Sequence, residues 1–323
     1  MLPAKNETVY APICIWGKNI DTFRIPNSIG SNSVFLRINY DGINITDEAR
    51  FITKYGHAFF TNYTDRMKNF NETTHKLLAY MIKLLNDNNS KFKIGLNNID
   101  TAVQFPISDY RKIRGVNSYR SLRQQIMQDL ELIFNMRIDW WDLNYEYRKE
   151  QKYMNFDMRI LSSKLVNLQG EVIVNFTTEI ANYLLHSPIM LVPTFYWQAG
   201  DIAAPIIYKV STLSRIKRYK SLQDPRIINV KVEDLLHAIQ DIKTLKTDRH
   251  IERHFKKRLE SGLREIYKNR LCTWCYSVGN TSSCSNKQLR SYNLDGNKYV
   301  CWNTFKRLVI TFRPWTNQNI NPK

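Results

Sequence analysis

A helix-then-strand pattern occurs twice in this chain, 133 positions apart, and it constrains the fold more than any other feature. The first copy runs from Arg120 to Trp141 and the second from Arg253 to Trp274. Leu122, Ile126, Leu130, Ile133 and Phe134 align with Phe255, Leu259, Leu263, Ile266 and Tyr267. Spacings of three and four place each set on one side of a helix, so each copy has one buried stripe. Arg137, Ile138 and Trp141 align with Arg270, Leu271 and Trp274, where each pattern passes from helix to strand. A supersecondary unit used twice implies two similar domains, and two helices with basic outer faces suit two stretches of one polyanion.

The charge supports a polyanion partner but divides unequally between the copies. Residues 1–202 hold 23 Lys and Arg against 20 Asp and Glu, a net of +3. Residues 203–323 hold 24 against 9, a net of +15, out of +18 for all 323 residues. Solubility alone does not need the charge concentrated in one part of the chain, whereas a nucleic acid does. The N-terminus lacks the basic start and apolar run of a secretory signal, and no stretch has the ~18 apolar residues of a membrane span. The expectation is therefore a cytoplasmic protein without membrane partners. Asn-x-Ser/Thr triplets at Asn6, Asn44, Asn62, Asn71, Asn175 and Asn280 then reflect an Asn-rich composition rather than glycosylation. Five cysteines without an export signal are expected as reduced thiols.

Turn and cap signals divide the chain into an N-terminal extension (1–70), a first unit (71–170) and a second (171–323). In the extension, 34–45 alternates around Asp41-Gly42 as a hairpin would, and 55–60 suits either a short strand or a turn of helix. In the first unit, Asn71 precedes a helix burying Leu77, Leu78, Met81, Leu84 and Leu85, and 91–99 reads as a strand. A helix over 107–114 stops at Gly115, and Asn117 or Ser118 caps the next, over 119–134. Residues 136–142 and 154–168 are expected to pair as a hairpin. The second unit reads as a strand at 171–176, helices at 178–185 and 203–222, a strand at 227–232, and helices at 233–242 and 248–268. Wing strands at 271–278 and 307–312 close it. Helix, strand, helix, tight turn, helix and hairpin make a winged helix, so the expected fold is α+β: two tandem winged helices behind the extension.

In a winged helix the third helix meets DNA. On its second copy Arg249, His250, Arg253, Lys256 and Lys257 lie largely off the apolar stripe, near the N-terminal half that enters a major groove. Arginine can grip guanine with two bonds, and both cations neutralise phosphates. The first copy offers Arg120, Arg123, Gln124 and Gln128, glutamines that suit adenine edges but carry less charge. Arg215, Lys217 and Arg218 add a basic end to the helix over 203–222.

Other chemistry is weakly signalled. Cys272, Cys275, Cys284 and Cys301 have a spacing that could close a zinc site, but the first two sit in strand sequence, which suits core thiols better. His250 and Arg253 with Tyr276 or Tyr292 match the residue types of a tyrosine strand-transfer enzyme, a short motif on a helix already explained by DNA contact. No phosphate-binding G-x-x-x-x-G-K-[ST] loop occurs, and no cofactor or catalytic residue is assigned.

The order of elements resembles the iteron-binding plasmid replication initiators with two winged helices. The likeness lies in FPISDYRKIRGV and NSYRSLRQQIMQDLELI, then VIVNFTTEIANYL, IIYKVSTLSRI, INVKVEDLLHAI, HFKKRLESGLREIYKNRLCTW and RLVITF, across roughly residues 71–315. It implies a non-enzymatic protein that binds double-stranded origin repeats, recruits host replication proteins, and forms a homodimer through its first winged helix, with the strongest base contacts in the second. A winged-helix transcriptional regulator is the alternative that charge and fold leave open.

Overall fold

The computed structural model describes residues 14–16, 20–26, 48–53, 56–61, 71–90, 99–135, 137–142, 154–186, 189–220, 226–239, 251–277, 305 and 307–315. The expected hairpin at 34–45 and strand at 91–99 fall largely outside them.

The side chain of Asn71 starts the first long helix, α1 (Glu72–Ser90). Its Oδ1 accepts hydrogen bonds from the backbone N–H groups of Thr73 (2.9 Å) and Thr74 (3.2 Å), two donors that a helix start leaves unpaired. The chain continues through β4 (Ala102–Pro106), α2 (Ile107–Arg114) and α3 (Tyr119–Phe134). Gly115, at φ 63°, ends α2. Between the two alternatives for the next cap, Ser118 is the one used: its Oγ accepts from the Ser121 N–H at 3.3 Å. Later come β7 (Leu161–Val166) and β8 (Glu171–Phe176). The sheet order is β4-β8-β7, all antiparallel, with Val103, Phe105, Val172, Val174 and Phe176 facing the core.

The second unit repeats this plan element for element. Helix α5 (Ala203–Lys220) leads to β10 (Ile228–Lys231), α6 (Val232–Ile239) and α7 (Ile251–Lys268). Strands β11 (Cys272–Ser277) and β12 (Val309–Pro314) follow, in the order β10-β12-β11. Each unit thus has first helix, strand, two helices and two strands, with the last strand central in its sheet. The duplicated stripe is buried in both copies: Leu122, Ile126, Leu130 and Ile133 on α3, and Phe255, Leu259, Leu263 and Ile266 on α7.

The strand half of the repeat is different. Residues 137–142 form β5, which pairs with β6 (Met154–Arg159) as expected, but this hairpin is not the wing. It joins β2 (Glu48–Thr53) and β3 (Gly56–Thr61) in a separate four-stranded sheet, β2-β3-β5-β6. The buried bend at Ile160 passes the chain from that sheet to the next, so the run 154–168 is two strands in two sheets. The wing of the first unit is β7-β8, and the strand at 171–176, read from sequence as the start of the second unit, lies at the centre of the first unit's sheet. Alternation marks a strand but not its partner, which is why sequence reading misplaced both.

Between the units lie α4 (Thr178–His186), β9 (Ile189–Pro193) and a 3-10 turn (Thr194–Trp197). Strand β1 (Thr22–Pro26), from the N-terminal extension, pairs antiparallel with β9. Trp16 donates its indole N–H toward Ser211 Oγ (3.1 Å) and the Leu191 carbonyl (3.2 Å), and the Ile15 N–H reaches Ser214 Oγ at 3.1 Å. Phe23 stacks on Trp197 at 4.4 Å between ring centroids. The extension therefore straps β9 to the first helix of the second unit.

One equivalent position shows how the two copies diverged. Asp129 on α3 and Gly262 on α7, again 133 apart, both face the start of their unit's first helix. Asp129 is 4% exposed and accepts from Thr74 Oγ1 at 2.6 Å and Thr73 Oγ1 at 3.4 Å. A Cβ on Gly262 would lie 2.6 Å from Ile202 Cγ2 and 3.2 Å from the Ala203 backbone nitrogen. One contact is thus made by a carboxylate and the other by the absence of a side chain. Gly262→Ala should lower stability by about 1–3 kcal/mol through overpacking, read from the urea midpoint.

Burial raises the Asp129 carboxyl from the usual 3.8 to about 6, against the two threonine hydroxyls and the Arg114 charge, which lower it. Between these values the folded chain holds the proton more tightly than the unfolded one, so the stability from this group is complete below about pH 4 and is lost as pH rises through 6. Asp129→Asn should therefore match the parent near pH 4 and exceed it at pH 7.5 by up to about 3 kcal/mol, measured by denaturant titration at both pH values.

Candidate nucleic-acid interface

Helix α7 buries one side against its sheet and the start of α5, which leaves the opposite side to solvent. The outward positions are Lys257, Ser261, Arg264 and Lys268, at helical spacing, and all are exposed. The Arg264 side chain is 68% exposed and only loosely paired with Glu260, at 4.0 Å. No carboxylate interrupts this stripe. Sequence reading found its N-terminal half through Lys257 and missed Arg264 and Lys268. The signal was present in the same i, i+4 spacing, continued past the first two turns.

The other predicted contacts of this helix fare differently. Lys256 is half-buried, with Nζ 5.7 Å from the centre of the Phe305 ring, so its ammonium lies at the edge of the face. Arg253 lies on α7, but its side chain is outside the described residues, as are those of Arg215, Lys217 and Arg218 on the last turns of α5. Arg249 and His250 lie outside the described residues altogether.

The chain leaves α7 through an unusual cap. Arg270 takes φ 55°, the left-handed conformation that normally belongs to glycine. Its N–H bonds the Tyr267 carbonyl (2.9 Å) and the Leu271 N–H bonds the Ile266 carbonyl (3.2 Å), closing the helix end. An arginine there costs about 1 kcal/mol or more against glycine and holds an exposed guanidinium beside Lys268. Cations at a helix C-terminus also oppose its negative dipole end.

On α3 the equivalent outward stripe is Arg120, Gln124, Gln128 and Glu131, with Met127 beside it. Arg120, Gln124 and Gln128 are exposed. Arg123 is instead turned to the wing: its Nη2 donates to the Asn167 carbonyl at 3.1 Å. Glu131 ion-pairs with Lys164 of β7. The outward charge of α3 is therefore near zero, whereas that of α7 is wholly positive. Among the described residues of this unit three large apolar side chains are also exposed: Met127 (53%), Leu165 (55%) and Leu168 (89%).

Among the described residues neither alternative chemistry gains a site. Tyr276 is 3% exposed, in ring contact with Trp274 and Phe305, and burial pushes its hydroxyl above the usual tyrosine range, so it is unsuited to attack a phosphate. Cys272 is buried, which raises its thiol and disfavours the thiolate a metal needs. Cys275 stands three residues further along the same strand, on the opposite face. Cys284, Cys301 and Tyr292 lie outside the described residues, among which no group of three metal ligands occurs.

Residues 57–187 match the family model described as initiator replication protein, WH1. The match covers 131 of the 323 residues, and over them the chain is similar to the first winged-helix domain of replication initiators. The match begins within β3 and ends beyond α4, so the β5-β6 insertion and β8 both lie inside it. A crystal structure of the Pi initiator protein in complex with iteron DNA aligns with 92% of this chain and 99% of that one, at 11% identity and a TM-score of 0.51. This likeness extends the shared fold over both units. A structure of a selenomethionine derivative of RctB domains 2 and 3 aligns with 90% of this chain and 98% of that one, at 9% identity and a TM-score of 0.48. Another of the same domains aligns over 88% and 98%, at 11% and 0.45. No curated protein sequence matches the chain.

Arg264→Ala and Lys268→Ala should each weaken binding to any duplex sequence alike. Each should also reduce the slope of log affinity against log salt by about 1, as loss of one phosphate contact requires. Fluorescence anisotropy of a labelled random duplex across a potassium chloride series measures both, and a slope unchanged in both variants rules out contact by this stripe.

Proposed function

We propose that this protein is a replication initiator of a plasmid-like replicon, which binds double-stranded origin repeats through two winged helices. The observation that carries the reading is the outward stripe of α7, with three cations and no carboxylate, on the third helix of a unit whose partner matches the initiator family. Lys257, Arg264 and Lys268, with Arg253 and Lys256, face the duplex on the second unit, and Arg249 and His250 precede them. The first unit contributes Arg120, Gln124 and Gln128, and Arg123 supports them by holding the wing turn. Arg215, Lys217 and Arg218 add phosphate contacts. The division into an extension (1–70), a first winged helix and a second follows the two repeats of the fold.

The role is one of binding rather than catalysis. The low outward charge of α3 and the exposed Met127, Leu165 and Leu168 support a second duty for the first unit, as the face of a homodimer or of a host replication protein. No helix among the described residues is long and apolar enough to cross a membrane, and the reading places the protein with its plasmid in the bacterial cytoplasm.

Footprinting on the DNA flanking the gene should show protection of a set of direct repeats, and deletion of the gene should abolish replication of the element. Protection of a single promoter site, with replication intact, would instead identify a transcriptional regulator.

A further inference from the structure

The two units meet at a buried polar junction. Lys76, on the first helix of the first unit, is 1% exposed. Its Nζ pairs with Glu72 one turn back and donates to the carbonyl of Ala199 at 2.5 Å. Ala199 lies in the short run that enters α5, the first helix of the second unit. From the other side, α7 grips the next residues. Glu265 Oε1 accepts the Gly200 N–H at 2.8 Å, and Arg258 Nη2 reaches Asp201 Oδ2 at 3.1 Å. A Cβ on Gly200 would lie 3.0 Å from Glu265 Oε2, and one on Gly262 would collide with Ile202, so glycine at both places permits the close approach. Residues 199–202 are thus held between a helix of one unit and the DNA-contacting helix of the other.

The aromatic groups beside this run tighten the same joint. His75 hydrogen-bonds the Tyr196 hydroxyl through Nδ1 and meets the Tyr208 ring edge-on at 4.7 Å. Tyr80 packs against Trp197, which Phe23 of the N-terminal strap stacks on from outside. A lysine buried in such surroundings is expensive unless its partners are fixed, and one of its two partners belongs to the entry of the other unit. This arrangement holds a geometry and does not simply fill space.

We propose that Lys76 and the run 199–202 are positioning elements that fix the separation between the two DNA-contacting helices, so that the protein accepts one spacing of its two half-sites. The proposal rests on both units contacting DNA, as inferred above. Two binding modules on a stiff joint gain the full advantage of linkage only at the matching span, whereas a loose joint spreads that advantage over several spans. A half-turn of B-DNA, about 5 base pairs, would rotate one half-site to the far side of the duplex.

The test uses the full chain and a library of randomised duplex DNA, from which bound sequences are selected and read. The comparison is a variant carrying Lys76→Met with a Gly-Ser-Gly-Ser insertion between Gln198 and Ala199. Neither change touches a residue assigned to DNA. The parent should enrich a two-part motif at one separation, about tenfold over separations shifted by half a turn. The variant should enrich the same two parts with that preference cut to about threefold or less. A variant that keeps the single separation overturns the proposal, and so does a parent that enriches only one block of sequence. A parent that enriches no sequence defeats the DNA-binding reading itself, a result distinct from the other two. If the insertion impairs folding, judged by near-ultraviolet circular dichroism, Glu72→Gln with Lys76→Met removes the charged pair and leaves the chain length intact. A separation profile unchanged in that folded variant also overturns the proposal.

Discussion

A lysine with 1% exposure is the constraint on which the two halves of this molecule depend. Burial holds the Lys76 ammonium below its ordinary range, and the charge of Glu72 opposes that effect most strongly. The ammonium still needs acceptors, and the nearest beyond Glu72 is a backbone carbonyl at the entry of the second unit. Its neighbour His75 is driven down to about 3 by burial and by the Lys76 charge, so the imidazole stays neutral and serves as a partner for Tyr196. Removing one partner while the other stays buried would leave a polar group without a bond in a largely apolar setting, which costs more than trimming an apolar contact of the same size. The N-terminal strap then adds a strand pairing and an aromatic stack over the same joint.

On that frame the two winged helices have kept one topology and changed their outer faces. Helices α3 and α7 bury matched residues, yet one presents Glu131 where the other presents Arg264. The buried contact at the start of each unit's first helix changed as well, from a carboxylate on two threonine hydroxyls to a glycine pressed against Ile202. Core positions are constrained by volume and bonding, so they change through such compensated substitutions. Surface positions are free to follow the partner. The outward face of α7 is accordingly positive, while that of α3 is near neutral, with Met127 exposed beside it.

Much of the helical framework could be read directly. Helices over 107–114 and 119–134 agree with sequence reading to the residue, because Gly115 and Ser118 mark their ends and the apolar stripe repeats at 3.6 residues. The outward residues of α3 and α7 follow from the same periodicity, though sequence reading named only Lys257 of the α7 stripe. Strand partners were not legible in this way. The run 154–168 alternates without interruption in character, but a single buried bend at Ile160 splits it between two sheets. Nor could spacing show that Arg123, a plausible base contact, is turned to the wing carbonyl of Asn167.

What the sequence determined by itself was local or statistical. It shows a duplicated helix with one buried face, caps that delimit it, and a positive charge concentrated after residue 202. These need only periodicity, short-range hydrogen bonds and a sum over side chains. The tertiary structure alone decided which strands close each sheet, which cations remain free to meet a polyanion, and how the units are joined. Those outcomes turn on contacts between residues far apart in the chain, such as Lys76 with Ala199 and Trp16 with Ser211. No local pattern encodes such pairings, because the burial that makes them necessary exists only once the whole core has closed.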